Sequence, residues 1–167
     1  SVSLEMKHAL SLVSFKIYKD NSTYKGPAKL TKIVLQNKST ASTKTLKTSS
    51  NATMKIGDGG ITRGTESDAT FTRIIKGSGD DADKGADIKE SSGARTYSIL
   101  VFPDASAVAK NEVEAVFTID GADYTVALAA DGTGVQWTKG NNNIYGIKLS
   151  GTGLGITSVK VAAWGEN

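Results

Sequence analysis

The sequence contains no cysteine, which excludes disulfide staples, thiolate nucleophiles, thiolate zinc sites and iron–sulfur clusters. A single histidine, His8, lies among apolar neighbours in a strand-like stretch. It reads as a hydrogen-bonded structural residue, and no Ser-His-Asp arrangement can be proposed around it. Arginine is scarce, 3 residues against 17 lysines, and the net charge is only +3. Lysine lacks the bidentate fork that reads phosphate, and there is no basic cluster, so no nucleic-acid partner is expected. No apolar run approaches the roughly 18 residues of a membrane helix, so no transmembrane segment is expected in this chain. Residues 1–7 (SVSLEMK) lack the basic start and apolar centre of a signal peptide, which implies that any targeting segment has been removed.

What the sequence does contain is period-two alternation from end to end, the mark of strands with one buried face. Val2, Leu4 and Met6 face one way; after a slip of phase around His8 to Ser11, Val13, Phe15 and Ile17 continue on odd numbers, as a bulge or a break between strands would produce. Further strands are expected at 30–36, 45–48 with 52–56, 70–75, 96–102, 112–120, 124–128, 144–149 and 156–163. The Ser-, Thr- and Lys-rich stretch 37–53 has the least defined pairing. Asp120-Gly121-Ala122 reads as a tight hairpin, because glycine supplies the positive φ such a turn needs. Ala130-Asp131-Gly132-Thr133-Gly134 and Gly57-Asp58-Gly59-Gly60 read as turns, and only 105–110 has the pattern of a helical turn. Residues 77–87 (GSGDDADKGAD) are nearly devoid of apolar side chains and read as a long, mobile surface loop without a strand. Strands at this density, in a chain of 167 residues, predict one domain over 1–167: an all-β, antiparallel β-sandwich of Greek-key or transthyretin-like type.

Chemistry-bearing motifs are thin. Asp80, Asp81, Asp83 and Asp87 offer hard oxygen ligands, but their spacing does not match the calcium loop of an EF-hand, and a solvated acidic loop is the simpler reading. No glycine-rich turn links a strand to a helix in the manner of a phosphate cradle. Paired carboxylates of the glycosidase kind cannot be recognised from spacing alone. Accordingly no catalytic, metal or cofactor residues are assigned. Tyr18, Tyr24, Tyr97, Tyr145, Trp137 and Trp164 form the aromatic pool from which a sugar platform could be built, although such rings also close the ends of cores. Asn21, Asn37 and Asn51 each begin an Asn-X-Ser/Thr acceptor triplet.

Five segments, in order, resemble the fimbrillin-like family of Bacteroidales surface proteins. They are His8-Ala9-Leu10-Ser11 with Val13, Phe15 and Ile17; Ile99-Leu100-Val101-Phe102-Pro103; Phe117-Thr118-Ile119-Asp120-Gly121 with Tyr124-Thr125-Val126; Trp137-Thr138-Lys139-Gly140 with Ile144-Tyr145-Gly146-Ile147-Lys148-Leu149; and Val159-Lys160-Val161-Ala162-Ala163-Trp164. Members usually carry an N-terminal domain ahead of the His-Ala-Leu segment, so the resemblance is to the second domain of a longer, two-domain precursor. Asp104 stands where the family often has glutamine, and Asn141-Asn142-Asn143 reads as an extension of the preceding turn.

The resemblance implies a shaft, anchor or tip subunit of cell-surface fimbriae, exported as a lipoprotein to the outer membrane. It also implies pairing with other pilus subunits or with itself, and contact with a host glycan or protein receptor. Independently of family, a sheet with a bare edge offers unpaired N–H and C=O groups that an added strand satisfies. Val2, Leu4 and Met6, or Ile156, Val159 and Val161 running on to Trp164, could supply such pairing; each set also fits an ordinary intramolecular strand. The competing readings are a carbohydrate-binding domain of a surface lipoprotein, a sandwich with an internal Lys–Asn bond and, more remotely, an enzyme.

Overall fold

The computed structural model describes residues 8–104, 106–108, 112–129 and 134–164, except for the side chains of 80–82. Its strands are β1 (Ser11–Lys19), β2 (Lys29–Asn37), β3 (Lys47–Ser50), β4 (Thr53–Met54), β5 (Ile61–Thr62), β6 (Thr65–Asp68), β7 (Thr70–Ile74), β8 (Ala86–Asp87), β9 (Arg95–Val101), β10 (Val113–Ile119), β11 (Ala122–Ala127), β12 (Asn141–Ser150) and β13 (Gly153–Ala163). One sheet has the order β13-β12-β1-β9 and the other β11-β10-β2-β7, with β8 also paired to β2. The protein is an all-β sandwich in which the chain passes repeatedly from one sheet to the other. Every named strand pair is antiparallel but one: β1 and β12 run parallel, with Val13 opposite Asn143 and Ile17 opposite Ile147. The purely antiparallel expectation is corrected there, because two strands so far apart in sequence need no hairpin and are free to meet in the same direction.

Alternation builds the core as expected. Val13, Phe15 and Ile17 of β1 and Tyr145, Ile147 and Leu149 of β12 face Ile33 and Leu35 of β2 and Ala115, Phe117 and Ile119 of β10, all buried. Phe15 meets Phe117 edge to face with ring centres 5.2 Å apart, and Tyr145 lies 6.0 Å from Phe15 on the same side. Trp137 and Tyr145 do not close the ends of the core; both are fully buried within it, and the indole Nε1 donates to the Tyr145 hydroxyl at 3.1 Å. Burial pushes the Tyr145 pKa up to about 12, against the opposing effect of that bond. In β2 the buried set switches from Leu30 to Ile33 and Leu35, which works because the pairing with β10 shifts register between Thr118 and Ile119.

The turn at Asp120 and Gly121 has positive φ at both residues, 51° and 81°, as a two-residue type I′ hairpin requires. Asp120 also anchors the crossover between sheets. Its carboxylate accepts from the Tyr24 hydroxyl at 2.6 Å and from the backbone N–H groups of Ala28 and Lys29 at 2.9 and 2.8 Å.

Several expectations are corrected. Residues 77–87 are not a plain loop: a 3-10 helix spans Gly79–Lys84, β8 pairs with β2, and Ala86 is buried. Glycine makes the turn into β8, since Gly85 has φ 79° and a Cβ there would lie 2.3 Å from the Leu30 carbonyl. Asn141-Asn142-Asn143 are not part of a turn but open β12. Asn143 is buried, donating to the Ser11 hydroxyl and the Leu12 carbonyl, both at 2.9 Å. Its partners are not lysine, so the one fully buried asparagine among the described residues gives no internal Lys–Asn bond. Residues 105–110 fall partly outside the described residues; within them Ala107 makes an isolated antiparallel bridge to Gln136 instead of a helical turn. Of the turn expected at 130–134, residues 130–133 lie outside the described residues.

The stretch between β2 and β7 folds as a nested arm, β3 pairing with β6 and β4 with β5. The Asn37 side chain clamps its base by accepting from the Leu46 N–H at 2.8 Å and donating to the Leu46 carbonyl at 2.9 Å. That amide is therefore committed to the backbone, which argues against its use as a glycan acceptor.

Phe117→Ala is expected to lower stability by about 3–5 kcal/mol, and Tyr145→Phe by about 1–3 kcal/mol because the buried indole N–H loses its acceptor. Equilibrium urea unfolding followed by tryptophan fluorescence measures both.

Candidate subunit-pairing edge

β13 is the longest described strand, 11 residues, and it forms an edge of its sheet. Paired residues on antiparallel strands share a face. Val159 is opposite Tyr145, Val161 opposite Asn143 and Ile156 opposite Ile147, so these three β13 side chains project on the core side. Yet Val159 is 38% and Val161 44% exposed, while Tyr145 is 1% exposed. The strand near β13 in the facing sheet is β11, only 6 residues long, and it leaves part of the inner face of β13 without an opposing layer. Among the described residues β13 thus carries both an unpaired backbone edge and an open apolar strip continuous with the core. Its one charge, Lys160, is opposite Ile144 on the outer face, leaving the strip itself uncharged.

The backbone of this edge is shaped by a bulge. Pairing with β12 shifts between Gly146 and Ile147, and Thr157 is the additional residue. Its hydroxyl donates to the Gly146 carbonyl at 3.2 Å and accepts from the Tyr18 hydroxyl at 3.2 Å. A Cβ at Gly146 would stand 2.4 Å from the Ser158 hydroxyl, which would have to rotate away. A bulge increases local twist and re-aims the strand that carries it.

The far end of β13 meets the start of the described chain. Trp164 is half-buried; its N–H donates to the Gly140 carbonyl at 2.7 Å, and Gly140 N–H in turn donates to the Leu10 carbonyl at 2.9 Å. The His8 ring stacks on Trp164 with centres 3.9 Å apart and planes within 9°. His8 is exposed and serves as a structural stacking partner for Trp164. Of the residues expected to pair subunits, the structure brings Ile156, Val159, Val161 and Trp164 onto one edge; Val2, Leu4 and Met6 lie outside the described residues.

Other polar features hold the surface together. Asp20 is kept below the usual carboxylate range by the Ser22 hydroxyl and N–H, aided by Lys148 at 3.3 Å. Asp87 is lowered chiefly by its bond to Lys29, at 2.8 Å, and so is already engaged by a cation. An open basin of about 640 Å³ lies beside Asp87, lined also by Lys19, Lys89 and Arg95 among others. No aromatic ring lines it, and with Trp137 and Tyr145 in the core the pool available for a sugar platform is much reduced. Among the described residues, no three His, Asp or Glu side chains are placed to hold a metal ion, and no helix is long and apolar enough to cross a membrane.

The protein is a β-sandwich whose longest described strand, β13, is an edge of its sheet. The chain belongs to the fimbrillin-like family, whose model matches residues 1–164. Its fold is similar to that of a candidate cell adhesion protein from Bacteroides uniformis ATCC 8492, at 18% identity and a TM-score of 0.61 over 95% of this chain and 51% of that one. It is also similar to a candidate cell adhesion protein from Bacteroides ovatus ATCC 8483, at 13% identity and a TM-score of 0.60 over 95% of this chain and 46% of the other. The chain spans about half the length of these solved relatives. No curated protein matches it.

The electrostatics of the Asp120 anchor make a testable statement. Burial opposes its charge, but the Tyr24 hydroxyl and the N–H groups of Lys29 and Ala28 outweigh that and hold its carboxyl below the usual range. A carboxyl whose pKa is lower folded than unfolded stabilises above the unfolded value of about 3.9, and loses that contribution as pH falls through the folded value. Asp120→Asn tolerates the positive φ and removes the charge. It is expected to be less stable than the parent at pH 6, with the difference shrinking towards pH 3, as read by urea midpoints across that range.

Proposed function

We propose that this chain is a structural or adhesive component of cell-surface fimbriae, a shaft, anchor or tip subunit, which assembles by β-strand complementation. Membership of the fimbrillin-like family supports a fimbrial, adhesion-type role at the cell surface. The observation that carries the mechanism is the β13 edge: an 11-residue strand with Val159 and Val161 exposed on the side that faces the core. An incoming strand would hydrogen-bond to the β13 backbone and lay alternate apolar side chains beside these two valines, extending the core by one strand.

The partner is another pilus subunit or a second copy, and the donor is a segment of alternating apolar residues. Val2, Leu4 and Met6 have that pattern. The chain is read as one domain over 1–167, the second of a longer precursor that is exported as a lipoprotein and displayed at the outer membrane. A host glycan or protein is the receptor class for an adhesive subunit. The working parts are a strand edge and an apolar strip, and the protein acts without a reaction centre or cofactor.

The double variant Val159→Lys, Val161→Lys places two cations on the strip while touching only exposed side chains, so the effect on folding is expected to stay within about 1 kcal/mol. Unboiled surface extracts should lose their polymer ladder. Ladders of unchanged length in cells that display the variant would show that β13 is not the pairing edge.

A further inference from the structure

The sheet that contains β13 has a second edge, β9, and the two edges are finished differently. β9 pairs with β1 on one side only, with Ser98 opposite Ser14. Alternate residues of a strand direct their N–H and C=O groups to the same side, so the outward groups recur at every second position. The Ser98 carbonyl is already taken. Arg73, on the β7 edge of the facing sheet, donates to it from Nη1 at 2.5 Å and lies over the Tyr97 ring at 5.6 Å from its centre. Further along, Arg63, between β5 and β6, donates to the Pro103 carbonyl and lies 5.2 Å from the centre of the Phe102 ring.

Arg63 is itself held in place. Its Nη1 binds Glu66 at 2.8 Å, and the next residue, Gly64, lets the arm pass so close to β3 that a Cβ would lie 2.1 Å from the Ser50 carbonyl. Arg73 thus reaches from the β7 edge onto an outward carbonyl of β9, whereas Arg63 ties the arm to the segment that follows the strand, since Pro103 lies two residues past Val101. A strand approaching β9 at Ser98 would have to displace a charge-assisted bond and a guanidinium resting on an aromatic face. Lysine could supply the charge but not the planar fork that binds a carbonyl while lying over a ring. Among the described residues nothing comparable stands on β13, where the single charge, Lys160, is on the outer face.

We propose that Arg73 guards the β9 edge against strand addition, leaving β13 as the edge of this sheet that takes a strand from another subunit. Subunits then add with a single polarity. The inference rests on the strand-pairing reading of β13.

Because the chain has no cysteine, introduced cysteines report each edge cleanly. Chains carrying S3C, in the donor segment with Val2, Leu4 and Met6, are mixed with chains carrying K160C on β13 or T96C on β9; the readout is intermolecular cross-linking of the full chain by a short bis-maleimide. With Arg73 present, S3C should cross-link to K160C and not to T96C. In the R73A background T96C should gain at least tenfold, with K160C unchanged. Equal cross-linking at T96C with Arg73 present, or no gain on its removal while tryptophan fluorescence stays native, overturns the guard. If R73A loses its native fluorescence, R73Q takes its place and is held to the same criterion. Silence at K160C in every background overturns the strand-pairing reading of β13, and a T96C gain would then still support the guard.

Discussion

The edge-to-face contact of Phe15 with Phe117 is where the two sheets meet, and the positions of the other parts follow from it. Each ring comes from the middle of a central strand, β1 in one sheet and β10 in the other, so burying the pair fixes which face of both sheets is inside. Because side chains alternate, that one decision directs Val13 and Ile17 inward with Phe15, and Ala115 and Ile119 inward with Phe117. Tyr145 enters from β12 beside Phe15 and brings Trp137 with it through the hydroxyl-to-indole bond. The loop ahead of β12 is thereby drawn into the core, and Gly140, three residues after the tryptophan, joins the beginning of β1 to the end of β13.

The same constraint leaves the inner face of β13 partly open among the described residues. The pairing of β13 with β12 aims its apolar residues at the interior, but β11 is too short to cover them. An inner face without an opposing layer is a place where the fold stops before its core is complete. Evolution can leave such an edge bare only if something covers it or if it is used, since long exposed edges otherwise invite uncontrolled pairing. On β9, by contrast, the Arg73 guanidinium occupies the Ser98 carbonyl.

Much of this could be read from the alternation of residues. The core faces of β1, β9, β10, β11 and β12 follow from period two because each has one buried side, and Asp120-Gly121 names its turn by the positive φ it needs. β6 was not legible, since Thr65–Asp68 is exposed on both faces and leaves no alternation to detect. β8 was hidden for another reason: a two-residue strand is too short to show a period, and its burial depends on Gly85 approaching Leu30. Asn143 looked like turn chemistry, yet it is enclosed by hydrogen bonds to Ser11 and Leu12, residues some 130 positions away.

The sequence by itself determined the class of fold, the absence of cysteine chemistry, the membership of the inward set and the apolar character of Ile156, Val159 and Val161. These are local properties, carried by composition and by a two-residue period. Tertiary structure alone decided that β1 runs parallel to β12, that β13 lies at an edge with Val159 and Val161 exposed, and that Arg73 reaches the Ser98 carbonyl of β9. An edge is defined by which strand is not beside it, and an arginine guards a carbonyl only when two distant segments pack together; neither is written in the order of neighbouring residues.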